Sequence, residues 1–209
     1  MFALGDADLE RRLLGCGDGP ASFNREWTRR GGRVLSVDPL YALPGPRIAQ
    51  RIEETYEDVI AQTRREQHRF VWDRIGSVDD LGRLRMGAMR AFLEDYALGR
   101  RDGRYLAAAL PSLPFRDSAF ELVLSSHLLF FYAAQLSREF HRDALRELLR
   151  VAPEVRIFPV VDVNGQRSPH LDPLLGELEA IGVRAELREV DYEFQRGGCH
   201  MLQLIAYNS

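Results

Sequence analysis

The chain contains no lysine: all 28 of its basic residues are arginine. That excludes chemistry needing a side-chain amine, namely a P-loop lysine on phosphates, Schiff-base catalysis and pyridoxal-phosphate binding. Cysteine is nearly absent too. Cys16 and Cys199 make neither a disulfide framework nor a metal spacing, which points to a reducing, cytoplasmic setting. The histidines are scattered and no HExxH or CxxC pattern occurs, so no metal site is expected. With a formal net charge of −3, the chain lacks the electrostatic footprint of a nucleic-acid binder, and the arginine pairs at 29/30, 64/65 and 100/101 read as solvated helix faces. Membrane-length apolar runs are missing, and the start, MFALGDADLERR, has acids where a signal peptide needs a basic start and an apolar core. The expectation is a soluble protein that engages a small molecule rather than nucleic acid or membrane, with its oligomeric state open.

What is present is enough for a sizeable core: 45% of the 209 residues are apolar, which suits one domain spanning 1–209. The organising stretch is LERRLLGCGDGPASFNREWTRRGGRVLSVDPLY, from Leu9 to Tyr41. Leu13 and Leu14 enter a glycine turn, Gly15-Cys16-Gly17-Asp18-Gly19, and Pro20 supplies a φ suited to a first helical turn. The helix is predicted over Ala21 to Arg30, stopped by Gly31 and Gly32, and Arg33 to Val37 is short and apolar enough for a buried strand. Asp38 ends that strand at the spacing where a βαβ nucleotide fold presents an acid to ribose hydroxyls.

A dinucleotide fingerprint needs a third glycine where this chain has Pro20, which argues against NAD or FAD. Asp18 would repel a pyrophosphate at the helix N-terminus, whereas a ligand carrying an ammonium and a sulfonium would tolerate it. Glycines at 15, 17 and 19 followed by Asp38 resemble motif I and the ribose-binding acid of class I S-adenosylmethionine (SAM) dependent methyltransferases. Leu113-Pro114-Phe115 followed by Asp117 to His127 is similar to that family's LPF-x-D-x-x-F-D-x-V stretch, and Glu147 to Pro153 echoes its turn between strands four and five. The resemblance implies a three-layer α/β sandwich with a seven-stranded, mostly parallel, Rossmann-like sheet in the order 3-2-1-4-5-7-6, strand seven antiparallel. It implies SAM as cofactor and methyl transfer as the activity. Two positions depart from the pattern. Leu13 stands where an acid usually holds the methionine ammonium, a role Asp18 would partly assume, and Ala109 stands where an acid usually reads adenine.

Further strands are predicted over Arg104 to Ala109, in the run ending at Ser125-Ser126-His127, and over Glu154 to Val161, Arg184 to Val190 and Met201 to Tyr207. Helices are predicted over Ser137 to Arg150 and Leu171 to Ile181. Residues 44–101 exceed what a plain crossover needs. Ile48, Ile52, Tyr56, Val59 and Ile60 recur at helical spacing, the pattern continues through Phe70, Val71, Trp72 and Ile75, and a second helix follows the Gly76-Ser77 break. This insertion is expected to act as a helical cap over the cofactor's reactive end; the alternative is a helix pair padding a sheet edge. Only about eight residues precede the first strand, leaving no room for the N-terminal helices that close many of these enzymes, so the cap would exclude water.

Ligands of open α/β sheets lie at the carboxyl ends of the strands. The expected cofactor-binding residues are Gly15, Cys16, Gly17, Asp18, Gly19, Asp38, Pro39, Leu40, Leu110, Ser125 and Ser126. Tyr41 is open between packing on adenine and core. His127 is the candidate base, since its ordinary pKa lies near neutrality; a histidine simply bonded beneath the cap is the alternative. Asp162 and Asn164 read as a loop turn, with orienting a substrate as the alternative, and Asp191 to Arg196 as a solvated hairpin, with reaching a substrate as the alternative. Two other readings stay open: a non-catalytic module binding SAM or S-adenosylhomocysteine, and an NAD-binding oxidoreductase. The methyl acceptor is not legible.

Overall fold

A single βαβ unit places the glycine turn beside the acid one strand away. In the computed structural model, which describes residues 1–206, β1 (Arg12–Cys16) and β2 (Arg33–Val37) pair in parallel from Arg12↔Arg33 to Cys16↔Val37. Between them α1 (Phe23–Arg29) is shorter than predicted: Ala21 and Ser22 belong to its approach, and Gly31 at φ +88 ends it in the left-handed conformation that glycine adopts without strain.

The remaining elements are α2 (Gly45–Arg65), α3 (Val78–Arg101), β3 (Tyr105–Leu106), β4 (Leu122–Ser126), α4 (Arg138–Val151), β5 (Glu154–Phe158), α5 (Leu171–Ala180), β6 (Val183–Glu189) and β7 (His200–Ala206). The sheet order is β3-β2-β1-β4-β5-β7-β6, with β7 antiparallel to both neighbours and the other pairs parallel. This is the predicted order and direction. The last residue of the predicted seventh strand, Tyr207, lies outside the described residues.

Three other predicted boundaries move by more than one residue. β3 is two residues long because its partner β2 turns away at Asp38, where Pro39–Ala42 form a 3-10 turn, so Ala107 to Ala109 do not pair with β2, and Ala109 bridges Ser112 instead. β5 stops at Phe158, since Pro159 has no N–H for a ladder. Residues 70–75 are not helical: α2 ends at Arg65, and the segment up to Ser77, which caps α3 by accepting a bond from the Asp80 N–H at 3.1 Å, docks elsewhere as described below.

The sheet is covered on both faces. On one, α4 buries Ala144, Leu145, Leu148 and Val151 against Val123, Val155, Ile157 and Leu204. Each such leucine contributes about 1.5–3 kcal/mol by leaving water. On the other, Leu13, Val34, Leu122 and Leu124 pack under Trp27 of α1. Strand alternation assigns these sides: Leu122 and Leu124 point to α1, Val123 to α4.

A third apolar cluster joins the insertion to the sheet edge: Tyr41, Ile48, Ile52, Phe92, Tyr96 and Tyr105, with Met86 and Met89 against it. The far end is fastened too. Phe70 stacks on Phe194 with ring centres 4.8 Å apart, and the Val71 N–H donates to the Phe194 carbonyl at 2.7 Å. Arg74 pairs with Asp191. Thus α3 runs from the β6–β7 connection at one edge of the sheet to β3 at the other. Its 24 residues give about 36 Å of helix, and seven strands span about 29 Å, so the reach is sufficient.

Candidate functional site

The glycine turn is held from within by Asp18. Its carboxylate folds back over Gly15, where a Cβ would lie 2.0 Å from Asp18 Oδ2, so only glycine fits there. Ser36 Oγ donates to the same oxygen at 2.5 Å and itself accepts from Asn24 Nδ2 at 3.0 Å. The chain of bonds continues: Arg104 donates to Asn24 Oδ1 at 2.7 Å and to both oxygens of Asp95 on α3, at 2.7 and 2.9 Å. A continuous polar path therefore links the turn, α1, β2 and the insertion. Although Asp18 keeps partial exposure as a residue, the inward carboxylate is pushed up to about 7: burial is the main cause, Asp38 adds to it, and the Ser36 bond opposes it. With Oδ2 bonded to Ser36, Asp18 still lines the cavity described below.

Asp38 faces the turn. Its Oδ2 accepts from the Gly19 N–H at 2.9 Å and its Oδ1 from the Leu40 N–H at 2.8 Å, capping the 3-10 turn. Each oxygen keeps a lone pair for a further donor. Tyr41 is core: 1% exposed, it lies in the aromatic cluster and donates from its hydroxyl to the Gly19 carbonyl at 2.8 Å.

A cavity of about 720 Å³ opens beside the turn, lined by Gly17, Asp18, Ala21, Phe23, Leu124, Ser126, His127 and residues 1–4. Ser126 and His127 therefore lie where the sequence places them. Ser125 does not, because alternation turns it to the α4 side of the sheet, where it is 0% exposed and its Oγ has no partner. Cys16 is buried in the core, its thiol raised in pKa by burial and by Asp18 and Asp38. Leu110 packs on the α4-side core, and neither it nor Pro39 nor Leu40 lines this cavity.

His127 departs from ordinary backbone, with φ +51 at the end of β4, the strained geometry that clusters at functional sites. Its Nδ1 is 2.7 Å from Ser126 Oγ, and its ring meets Phe131 and Phe158 edge-on. Burial first, and the Arg85 charge second, lower its pKa to about 4, so the imidazole is neutral at pH 7.

Three features escaped the sequence reading. Residues 1–4, part of a segment expected to be too short for the family's closing helices, wall the cavity. They are held by Arg156, which donates to the carbonyls of Phe2 at 3.0 Å and Ala3 at 3.4 Å. The apolar run MFAL ahead of Gly5 was the signal for a segment needing cover. Leu128 lies over the turn, its Cδ2 2.6 Å from where a Gly17 Cβ would be. The segment 191–196, expected to be solvated, is the insertion's anchor, with Phe194 8% and Gln195 7% exposed. Asp162 does form a turn, accepting from the Asn164 and Gln166 N–H groups at 2.8 and 2.9 Å. Among the described residues no three metal-ligating side chains converge, and no helix is long and apolar enough to cross a membrane.

No protein-family model matches the chain. Among solved structures it superposes on a TehB-like SAM-dependent methyltransferase from Corynebacterium glutamicum with a TM-score of 0.50, at 15% identity, covering 95% of this chain and 80% of that one. It superposes equally, at 0.50 and 14% identity, on the 1,6-didemethyltoxoflavin-N1-methyltransferase of Burkholderia thailandensis, covering 95% and 72%. With the observed strand order, these establish the class I methyltransferase fold. In sequence, 203 residues are 30% identical to the uncharacterized protein MJ0045 of Methanocaldococcus jannaschii, covering 97% of this chain and 89% of the other. The chain belongs to the family of that archaeal protein and is built on the class I methyltransferase fold.

Proposed function

We propose that the protein is a SAM-dependent methyltransferase acting on a small-molecule acceptor. The observation that carries this reading is the Asp38 carboxylate at 2.9 Å from the Gly19 N–H, which brings the acid to the glycine turn, while Gly17 and Asp18 of the same turn line the cavity with Ser126 and His127. The residues fit the cofactor. Gly17 at φ +75 lets a ligand press on the backbone once Leu128 turns aside, Asp38 has lone pairs left for ribose hydroxyls, and about 720 Å³ suits a small molecule. Bound there, SAM supplies an electrophilic methyl group on a sulfonium.

The chain's own part is alignment and exclusion of water. Residues 1–4 close one side of the cavity, and α2 and α3 act as the cap over the strands' carboxyl ends. His127 holds a lone pair on Nε2 when Nδ1–H donates to Ser126 Oγ, the arrangement left when the Ser126 hydroxyl points at Met1 Sδ, 3.4 Å away. In that form it receives a proton from the acceptor atom.

One observation favours a second reading, a module that binds SAM or S-adenosylhomocysteine without transfer: Leu13, 1% exposed in the core, offers the methionine ammonium no carboxylate. Calorimetry with SAM, S-adenosylhomocysteine and NAD tests the cofactor. The expected result is binding of the first two, weakened in Asp38→Ala; NAD binding without a SAM signal would overturn it. An acceptor screen with radiolabelled methyl donor separates enzyme from module, and full turnover by His127→Ala would remove that residue's catalytic role.

A further inference from the structure

The cavity beside the glycine turn has an apolar wall drawn from three parts of the chain: Phe2 from the segment 1–4, Phe23 from the start of α1 and Leu124 from β4. These side chains belong to one cluster on the α1 face of the sheet. Phe23 stacks on Trp27 with ring centres 5.5 Å apart, which holds its ring in place. Only three polar side chains enter the lining, Asp18, Ser126 and His127. None of the chain's 28 arginines does.

The segment 1–4 is fastened where it stands. Arg156, 7% exposed on β5, donates to the Phe2 and Ala3 carbonyls, and its charge is met by Glu154 at 2.7 Å and Asp8 at 3.5 Å. Ala3 takes φ +48, a left-handed conformation that costs an alanine free energy and persists only where its surroundings over-determine it. Met1 Sδ lies 3.4 Å from Ser126 Oγ, which in turn is 2.7 Å from His127 Nδ1. The apolar side chains of this segment therefore run up to the candidate base.

We propose that the acceptor taken by this cavity is an uncharged aromatic molecule carrying one O–H or N–H group, and that Phe2 is the residue that selects it. The transfer step rests on the methyltransferase reading; the binding of the aromatic molecule does not. A flat ring suits walls set by two phenylalanines, which favour offset or edge-on neighbours. A charged molecule would give up its hydration to enter an apolar space. An anion finds no guanidinium in the lining and faces Asp18, while a cation has only that one acid, which a cofactor ammonium also seeks. The acceptor's single polar group is left to Ser126 and His127. On transfer its O–H or N–H bond breaks and the proton passes to His127 Nε2. The freed electron pair forms the bond to the methyl carbon as the carbon–sulfur bond breaks, its electrons staying on sulfur.

The test is binding of four probes to the full chain, followed by NMR titration: phenol, benzoate, benzylamine and cyclohexanol. Phenol should bind about tenfold or more tighter than the two charged probes, and about three- to tenfold tighter than cyclohexanol. Phe2→Ala should weaken phenol by a similar three- to tenfold, and Phe2→Arg, which brings a cation to the wall, should admit benzoate at the expense of phenol. Should the variants fail to fold, transferred NOEs in the wild type, from the phenol ring protons to Phe2 and Phe23, report the same placement. Benzoate, benzylamine or cyclohexanol binding as tightly as phenol overturns the class, and so does phenol that gives no NOE to either ring or ignores Phe2→Ala. Calorimetry with SAM on the same samples keeps the two readings apart. Phenol binding without SAM binding rejects the methyltransferase and leaves the aromatic site standing, whereas SAM binding with benzoate preferred does the reverse.

Discussion

Replacing Asp18 with asparagine should change how stability depends on pH. In the fold the Asp18 carboxyl titrates at about 7 rather than its ordinary 3.8, because its inward position favours the neutral form. A group raised in this way contributes its full stabilisation below pH 3.8 and loses it as pH rises to about 7. The interval is a little over three pH units, each worth about 1.4 kcal/mol, giving a ceiling of about 4 kcal/mol. Asparagine keeps the carbonyl oxygen that accepts from Ser36 Oγ and cannot ionise. Wild type and Asp18→Asn should therefore diverge between about pH 4 and 7, the variant gaining at up to about 1.4 kcal/mol per pH unit, and run parallel above pH 7. Urea unfolding at a series of pH values measures this, and the difference curve removes every other titrating group the two proteins share. Parallel curves across the whole range would show that the carboxylate is not buried in the fold.

His127 gives the opposite slope. Its pKa of about 4 means that the unfolded chain gains its proton first, so wild type should lose about 2–3 kcal/mol relative to His127→Ala as pH falls from 6.5 to about 4; a flat difference in denaturant unfolding would contradict its burial. Gly15→Ala places a Cβ 2.0 Å from Asp18 Oδ2 and should cost about 1–3 kcal/mol by pushing Asp18 off Ser36. Gly19→Ala meets no atom within 4 Å and should cost only the strain of φ +56, about 1–2 kcal/mol, while leaving the pH dependence due to Asp18 in place; retention of that dependence in Gly15→Ala would argue against the folded-back carboxylate. Phe70→Ala removes the stack on Phe194 and should raise hydrogen exchange and proteolysis at 66–77 while the sheet stays protected; unchanged exchange there would mean that the tip is held by other contacts.

The sequence by itself determined the frame. The strand order came with the family resemblance, while the glycine turn, the length of β2 and the acid closing it follow from local rules of turn chemistry and periodicity; all stand in the structure. Such features are set within a few residues. Only tertiary structure decided the site. Whether Ser125 or Ser126 meets the cavity depends on one step of strand alternation, fixed by which face packs on α4. Asp18 turned inward because Ser36, on the neighbouring strand, donates to it. Residues 70–76 left their helical pattern because Phe194 and Asp191 offered contacts from the far edge of the sheet. Burial and electrostatic pairing between distant segments leave no local pattern, so they become legible only once the chain has folded.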